Sequence, residues 1–400
     1  MFNTNHYVPI LRWKAGERVA LREVRAEDRK RITPLIEIPK KIFEEKNSDR
    51  DLTDGRESLF EKIAVQPDPE QVLFKAAKAV LEAWQYSPFF LDLWHIDGHI
   101  PQIQGKKHPL TSIAEECRKL KLSLIPVTGL NRRHEYQSAS LQVAADDGRG
   151  ACIRVTADDV LQPTFSTALL SQIKRLALKI SDVHLLLDAQ DFDSNKPDLE
   201  ALLKRIPKLD DWRTLTVASG GFPEDLGKLE RGRNKIDRHD WLAWKQLVLN
   251  PNGLSRKPAF SDYTIQFGRY QEPPDFSNPT ASIRYTLSDQ WLVMKGEPLR
   301  NEDGPKFAQY PASATLLRES KEYYGPEFSY GDKYISTINI DGPLTGTPTT
   351  WLQAGINHHL TVVSRQIASL PSPLGTDAPR RANSRSLHSQ PTQHKSKRGA

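Results

Sequence analysis

Four hundred residues with eight Trp, fourteen Phe and eleven Tyr carry enough large apolar groups for a sizeable core. No apolar run approaches the ~20 residues of a bilayer span, residues 1–6 (MFNTNH) lack a signal-peptide pattern, and two cysteines, Cys117 and Cys152, cannot build a disulfide framework; no membrane association and a reducing cytoplasm are therefore expected. The net charge of +6 sits mostly in residues 371–400, where six Arg and Lys face one acid, so a specific nucleic-acid-binding face is not expected on the near-neutral remainder.

Short apolar runs recur at 7–13, 33–38, 88–93, 123–128, 151–156, 183–188, 215–219 and 259–264. Runs of this length that are apolar on both faces fit strands buried on both sides of a parallel sheet. Between them, 72–84, 167–180, 198–206 and 238–249 place apolar residues at i, i+3, i+4 and i+7, the stripe of a helix that packs on a sheet. Eight alternating units predict an α/β fold, a (β/α)8 TIM-like barrel. A doubly wound open sheet is the competing arrangement, and 281–286 is an alternative eighth strand. The polar stretch 44–57 reads as a long loop on the strand-exit face. Residues 281–296 read as an added β-hairpin, with C-terminal helices at about 306–324 and 349–369. The expected organisation is one barrel domain over 1–370 and a disordered basic tail from 371, which has too little apolar surface to offset its ordering entropy.

In such barrels functional residues sit where strands leave the sheet. That position gives Arg12, Glu37, Asp92, Thr128, Arg154, Asp188, Ser219 and Asp262. Four carboxylates left unpaired inside an apolar barrel would be prohibitive. They are therefore expected to line a polar mouth and pair with Arg12 and Arg154, helped by Lys14 and Arg284. Glu37, Asp92, Asp188 and Asp262 are the catalytic candidates, as acid/base pairs of the kind that hydrolyse glycosides. An ion-pair network that only closes the barrel is the structural alternative. Ser219-Gly220-Gly221 offers a phosphate-type turn, but a tight turn needing glycine is the stronger reading, and Glu224 and Asp225 would repel an anion at the start of the next helix. His95, Asp97 and His99 alternate without a supporting Cys pair or helical His pair, so no metal is expected. No nucleotide or cofactor motif occurs, and no cofactor is expected. His358 and His359 lie about 100° apart on a helix, so one is expected to cover the mouth and the other to face solvent.

YVPILRWKAGE, ITPLIEIP, FSDYTIQ, ASIRYT followed by WLVMKGE, and WLQAGINHHL together resemble the phage "beta protein" family across residues 7 to about 368. The residues most typical of it here are Arg12, Lys14, Glu37, Asp262, Tyr263, Arg284, Tyr285, Trp291, Gly296, Asn357 and His358. The resemblance implies a setting in temperate phages, satellite phages and bacterial defence islands. The satellite-phage member is encoded beside a protein lethal to the host cell and suppresses that lethality. No reaction comes with the family, so no catalytic residue is inherited from it. Two functions follow as expectations: restraint of a toxic partner in an anti-phage defence module, or a barrel hydrolase or lyase acting on a phosphorylated or sugar-like small molecule. For the second, Arg12, Lys14, Thr128, Arg154, Ser219, Arg284, Tyr285 and His358 are the expected contacts to a small anionic or polar ligand.

Overall fold

The apolar runs become the staves of a closed cylinder. The computed structural model describes residues 4–43, 68–97, 107–191, 198–251, 253–270 and 278–370. In chain order the strands are β1 (Tyr7–Leu11), β2 (Leu35–Glu37), β3 (Phe89–Asp92), β4 (Leu124–Thr128), β5 (Ala151–Thr156), β6 (Val183–Asp191), β7 (Thr214–Gly220), β8 (Gly232–Asp237), β9 (Ala259–Asp262), β10 (Thr280–Thr286) and β11 (Gln290–Pro298). Strands β1 to β7 pair in sequence, and β9 closes the barrel against β7 and β1, all in parallel. Closure excludes the open sheet, and the eighth stave is β9, not 281–286.

Alternation along each strand divides its side chains between two cores. Val8, Ile10, Leu35, Phe90, Val127, Cys152, Leu186, Ala218 and Tyr263 fill the interior. Tyr7, Leu11, Ile36, Leu91, Ile153, Leu187, Val217 and Phe260 face outward into the larger core beneath the helices. Helices Pro69–Trp84, Pro109–Lys119, His134–Asp147, Phe165–Arg175 and His239–Leu249 supply much of that outer layer. The long helix Pro348–Ser369 completes it beside β1. Its start is fixed by Pro348 in the first turn and by the Thr347 hydroxyl, which accepts from the Thr350 amide at 3.3 Å. Asn357 donates to the Ala20 carbonyl at 2.9 Å, tying the helix to Ala15–Arg22.

The expected hairpin is the larger part of a three-stranded antiparallel sheet in the order β10-β11-β8. The GRNKID segment of β8 has five polar or glycine positions in six and is mostly exposed, so nothing in its pattern announces a strand. Ile283, Tyr285, Leu292, Met294, Tyr310, Leu317, Ile335 and Trp351 form a second core. The expected helix at 306–324 is confined to Gln309–Arg318, and a further helix spans Tyr330–Thr337. Gly355 lets the long helix lie directly on β10, because a Cβ there would come within 2.6 Å of the Arg284 carbonyl oxygen. The 44–57 segment and the 371–400 tail lie outside the described residues.

Candidate functional site

Three strand-exit aspartates perform the same local task. Asp92 accepts from the Trp94 amide at 3.0 Å, Asp188 from Gln190 at 2.8 Å and Asp262 from Thr264 at 3.0 Å. Each side chain bonds the backbone two residues on, which turns the chain as it leaves the sheet. Recurrence of Asp at these exits therefore has a folding reason independent of chemistry.

Arg154 of β5 is the hub inside the barrel. Its Nη1 donates to Glu37 Oε1 at 2.7 Å and Asp92 Oδ2 at 2.9 Å. Its Nε and Nη2 donate to Asp188 Oδ2 at 2.9 and 2.6 Å, and Nη2 also reaches the Tyr263 hydroxyl at 2.9 Å. All five guanidinium hydrogens are thereby used. The Tyr263 hydroxyl donates to Asp188 Oδ2 at 2.7 Å, and burial with the Asp188 charge keeps it a phenol. Burial alone would raise the Glu37 carboxyl, but Arg154, His95 and Arg12 overcome it and hold it well below the usual carboxylate range. Arg132 adds bonds to both Asp92 oxygens at 3.1 and 3.0 Å, and Tyr136 donates to Oδ1 at 3.2 Å. Every oxygen of Glu37, Asp92 and Asp188 has a partner, with His95 Nε2 at 3.1 Å from Glu37 Oε2. The residues are almost wholly enclosed.

An aromatic cover closes this end. Trp94 lies over both guanidiniums, 4.9 Å from Arg154 and 5.2 Å from Arg132. Tyr270 packs on His95 at 4.8 Å and receives the cations of Arg12 and Lys14 at 5.2 and 5.0 Å. The Arg12 guanidinium donates through Nη2 to the carbonyls of Phe267 and Gly268, and the Arg12 backbone amide donates to Glu17 Oε1 at 3.1 Å.

The eight strand-exit residues do not all meet. Arg12, Glu37, Asp92, Arg154 and Asp188 point inward and converge, whereas Thr128, Ser219 and Asp262 share the parity of outward-facing Leu124, Val217 and Phe260. A strand apolar on both faces gives no alternation from which to read that parity. Gly221 abuts the Asp240 carboxylate, and no helix begins at Glu224, so the glycine pair serves close packing. Arg284 donates to the Ile265 carbonyl at 2.8 Å and stacks over Phe222. Tyr285 and His358 belong to the second core, bonded to Asp332 at 2.7 and 2.8 Å. Neither histidine of the pair faces solvent or the mouth, because Pro348–Ser369 is covered on one side by the barrel and on the other by β10. Residues that sequence reasoning missed are Arg132, Trp94 and Tyr270, all in turns beyond the strands, whereas the sequence marks Tyr263 only as typical of the family.

A second polar cluster lies in the barrel wall. Asp262 accepts from the Tyr7 hydroxyl at 2.5 Å and bonds His359 Nε2 at 2.8 Å, while His359 Nδ1 meets the Thr286 hydroxyl at 2.9 Å. This has the connectivity of a hydroxyl–imidazole–carboxylate triad, but all three groups are buried and no substrate can reach the hydroxyl. Burial and the Asp262 charge push the neighbouring Asp240 carboxyl up to about 7, against the pull of Arg238 and the Trp241 and Gly221 amides. An unfolded Asp titrates near ~4. Between these values the folded chain keeps a proton that the unfolded chain has lost, so stability falls as pH rises through that window. Asp240→Asn is expected to flatten this part of the profile, with a gain at pH 8 on the order of 4 kcal/mol at most. Thermal melts across the window check it, and parallel profiles for the two proteins would refute it.

Burial pushes the Cys117 thiol up to about 12 and raises Cys152 further, so neither is an activated nucleophile. Among the described residues no three His, Cys, Asp or Glu side chains converge as a metal site, and His99 lies outside them. No described helix is long and apolar enough to cross a membrane.

The family model described as Beta protein matches residues 7–365. None of the curated proteins compared with the chain matches it. Among solved structures, a mutant tryptophan synthase α-subunit from Pyrococcus furiosus is 13% identical, covering 66% of this chain and 89% of its own, with a TM-score of 0.37. The YdjI aldolase from Escherichia coli K12 is 7% identical, covering 91% of each chain, also at 0.37. Likenesses at this level carry nothing about activity.

Proposed function

Because the chain belongs to the Beta protein family, we propose that it restrains a toxic partner protein within a phage- or prophage-encoded anti-phage defence module in the host cytoplasm, acting by binding and not by turnover. The observation that favours binding is the saturation of the barrel mouth: all six oxygens of Glu37, Asp92 and Asp188 have partners. A general base needs a carboxylate oxygen within reach of substrate, and here that would require breaking buried ion pairs. Co-expression with the toxic gene encoded beside it is the test. Survival of the host is the expected result; undiminished killing in the presence of folded protein would refute the proposal.

A second reading, a hydrolase or lyase acting on a phosphorylated or sugar-like small molecule, is favoured by the convergence of those three carboxylates with Arg154 at the strand-exit end. The double variant Glu37→Gln with Asp188→Asn separates the two. Restraint by binding predicts that protection follows the amount of folded protein. Catalysis predicts loss of protection with the fold intact, checked by circular dichroism.

A further inference from the structure

The mouth is saturated in acceptors but not in donors. The Nε of Arg12 and the Nε of Arg132 are buried and have no hydrogen-bond partner among the described residues. Both side chains are at least nine-tenths enclosed. A third unmet donor follows from the cover. His95 Nε2 lies 2.7 Å from the Trp94 indole N–H and 3.1 Å from Glu37 Oε2. One nitrogen cannot accept from the indole and donate to the carboxylate together. With Glu37 ionised the hydrogen belongs between His95 and Glu37, which leaves the Trp94 N–H facing another N–H.

All three unmet groups can only donate, so the missing partner must be rich in acceptors. A buried donor without an acceptor costs about 1–3 kcal/mol; Arg132 lies on Trp94 and Arg12 on Tyr270, the two rings of the cover that pack on His95.

We propose that the strand-exit end of the barrel binds a small oxyanion, the phosphate or carboxylate group of a metabolite, between Arg12 and Arg132, with the Trp94–His95 contact opening to admit it. Trp94 then gains an acceptor, His95 keeps Glu37, and the two Nε–H groups become charge-assisted donors. The site stands independently of partner restraint and of turnover.

The test uses the full chain with inorganic phosphate and, in a parallel arm, succinate, each against chloride at equal ionic strength. Tryptophan fluorescence and melting temperature are read. A saturable response to phosphate or succinate, absent in chloride, is expected from the wild type, and the arm that saturates first identifies the group. Arg132→Gln and Arg12→Gln should each weaken it about tenfold or more, the loss of one charge-assisted bond. Trp94→Phe should bind while losing most of the fluorescence change. If the wild type shows no anion-specific response in either arm, the donors are met by water alone and the proposal fails. An equal response from the wild type and both arginine variants would also overturn it. Neither outcome bears on co-expression survival, so the two proposals fail separately.

Discussion

Arg154→Met is expected to lower the melting temperature at pH 7 by about 5 °C, the consequence of losing about 3–5 kcal/mol when a buried ion network keeps its anions and loses its cation. Glu37, Asp92 and Asp188 would then share the barrel interior with Arg132, His95 and Arg12 as the neighbours left to them among the described residues. Methionine fills a similar volume, so the loss is one of charge and hydrogen bonds. Two controls isolate that cause. Adding Glu37→Gln, Asp92→Asn and Asp188→Asn to Arg154→Met should recover part of the stability, because amides carry no charge to leave unpaired. The gap between wild type and Arg154→Met should also narrow with acidity. The Glu37 carboxyl is depressed in the folded chain, so its contribution is present above the unfolded carboxylate range and disappears as pH falls through its folded value. Thermal melts at several pH values measure both effects. A melting temperature within about 2 °C of wild type would show that the network contributes little to stability.

The barrel was legible in the sequence for a specific reason. Parallel staves buried on both faces appear as short uninterrupted apolar runs, and seven of the eight are followed by amphipathic helices or helical turns before the next. The same property hid the orientation of the strand ends. In LIPVT, TLTVASG and AFSD both faces are apolar or small, so Thr128, Ser219 and Asp262 are indistinguishable by pattern from the inward-pointing Asp92 and Asp188. Arg132, Trp94 and Tyr270 lie in turns, where no periodicity marks a side chain that folds back over the mouth. One usable signal was present: an Asp that ends a stave and bonds the amide two residues on is first a turn former. Strand β8 was invisible because an exposed edge strand rich in Arg, Asn and Lys has the composition of a loop. Its strand character comes from β11, six residues of which pair with it.

Asp332→Asn is the other substitution with a large expected effect, and it concerns the joint between the barrel and the second sheet. His358 Nδ1 faces Asp332 Oδ2 at 2.8 Å and its Nε2 faces the Thr286 carbonyl at 2.8 Å. Both partners are hydrogen-bond acceptors, and together they hold the ring from its two nitrogens. Tyr285 stacks on that ring at 3.8 Å, with Tyr324 and Phe328 each at 5.4 Å, an aromatic surround that packs the imidazole on several sides. Asp332 also accepts from Tyr285 at 2.7 Å and from Ser329 at 2.5 Å, joining β10, the helix Tyr330–Thr337 and the helix Pro348–Ser369 through one carboxylate. Burial opposes its ionisation, but His358 and these donors hold its carboxyl below the usual range. Asparagine keeps the shape and removes the charge, so the expected loss is about 3–5 kcal/mol. His358→Gln should cost a comparable amount, and in the double variant the losses should overlap, with a coupling of at least about 2 kcal/mol if the pair acts as a unit. Additive losses would mean that the two residues stabilise the joint separately. Hydrogen exchange should then place the first amides to open in Tyr330–Thr337 and β10, before the barrel staves, because the broken contact joins elements of the second core and leaves the barrel core untouched.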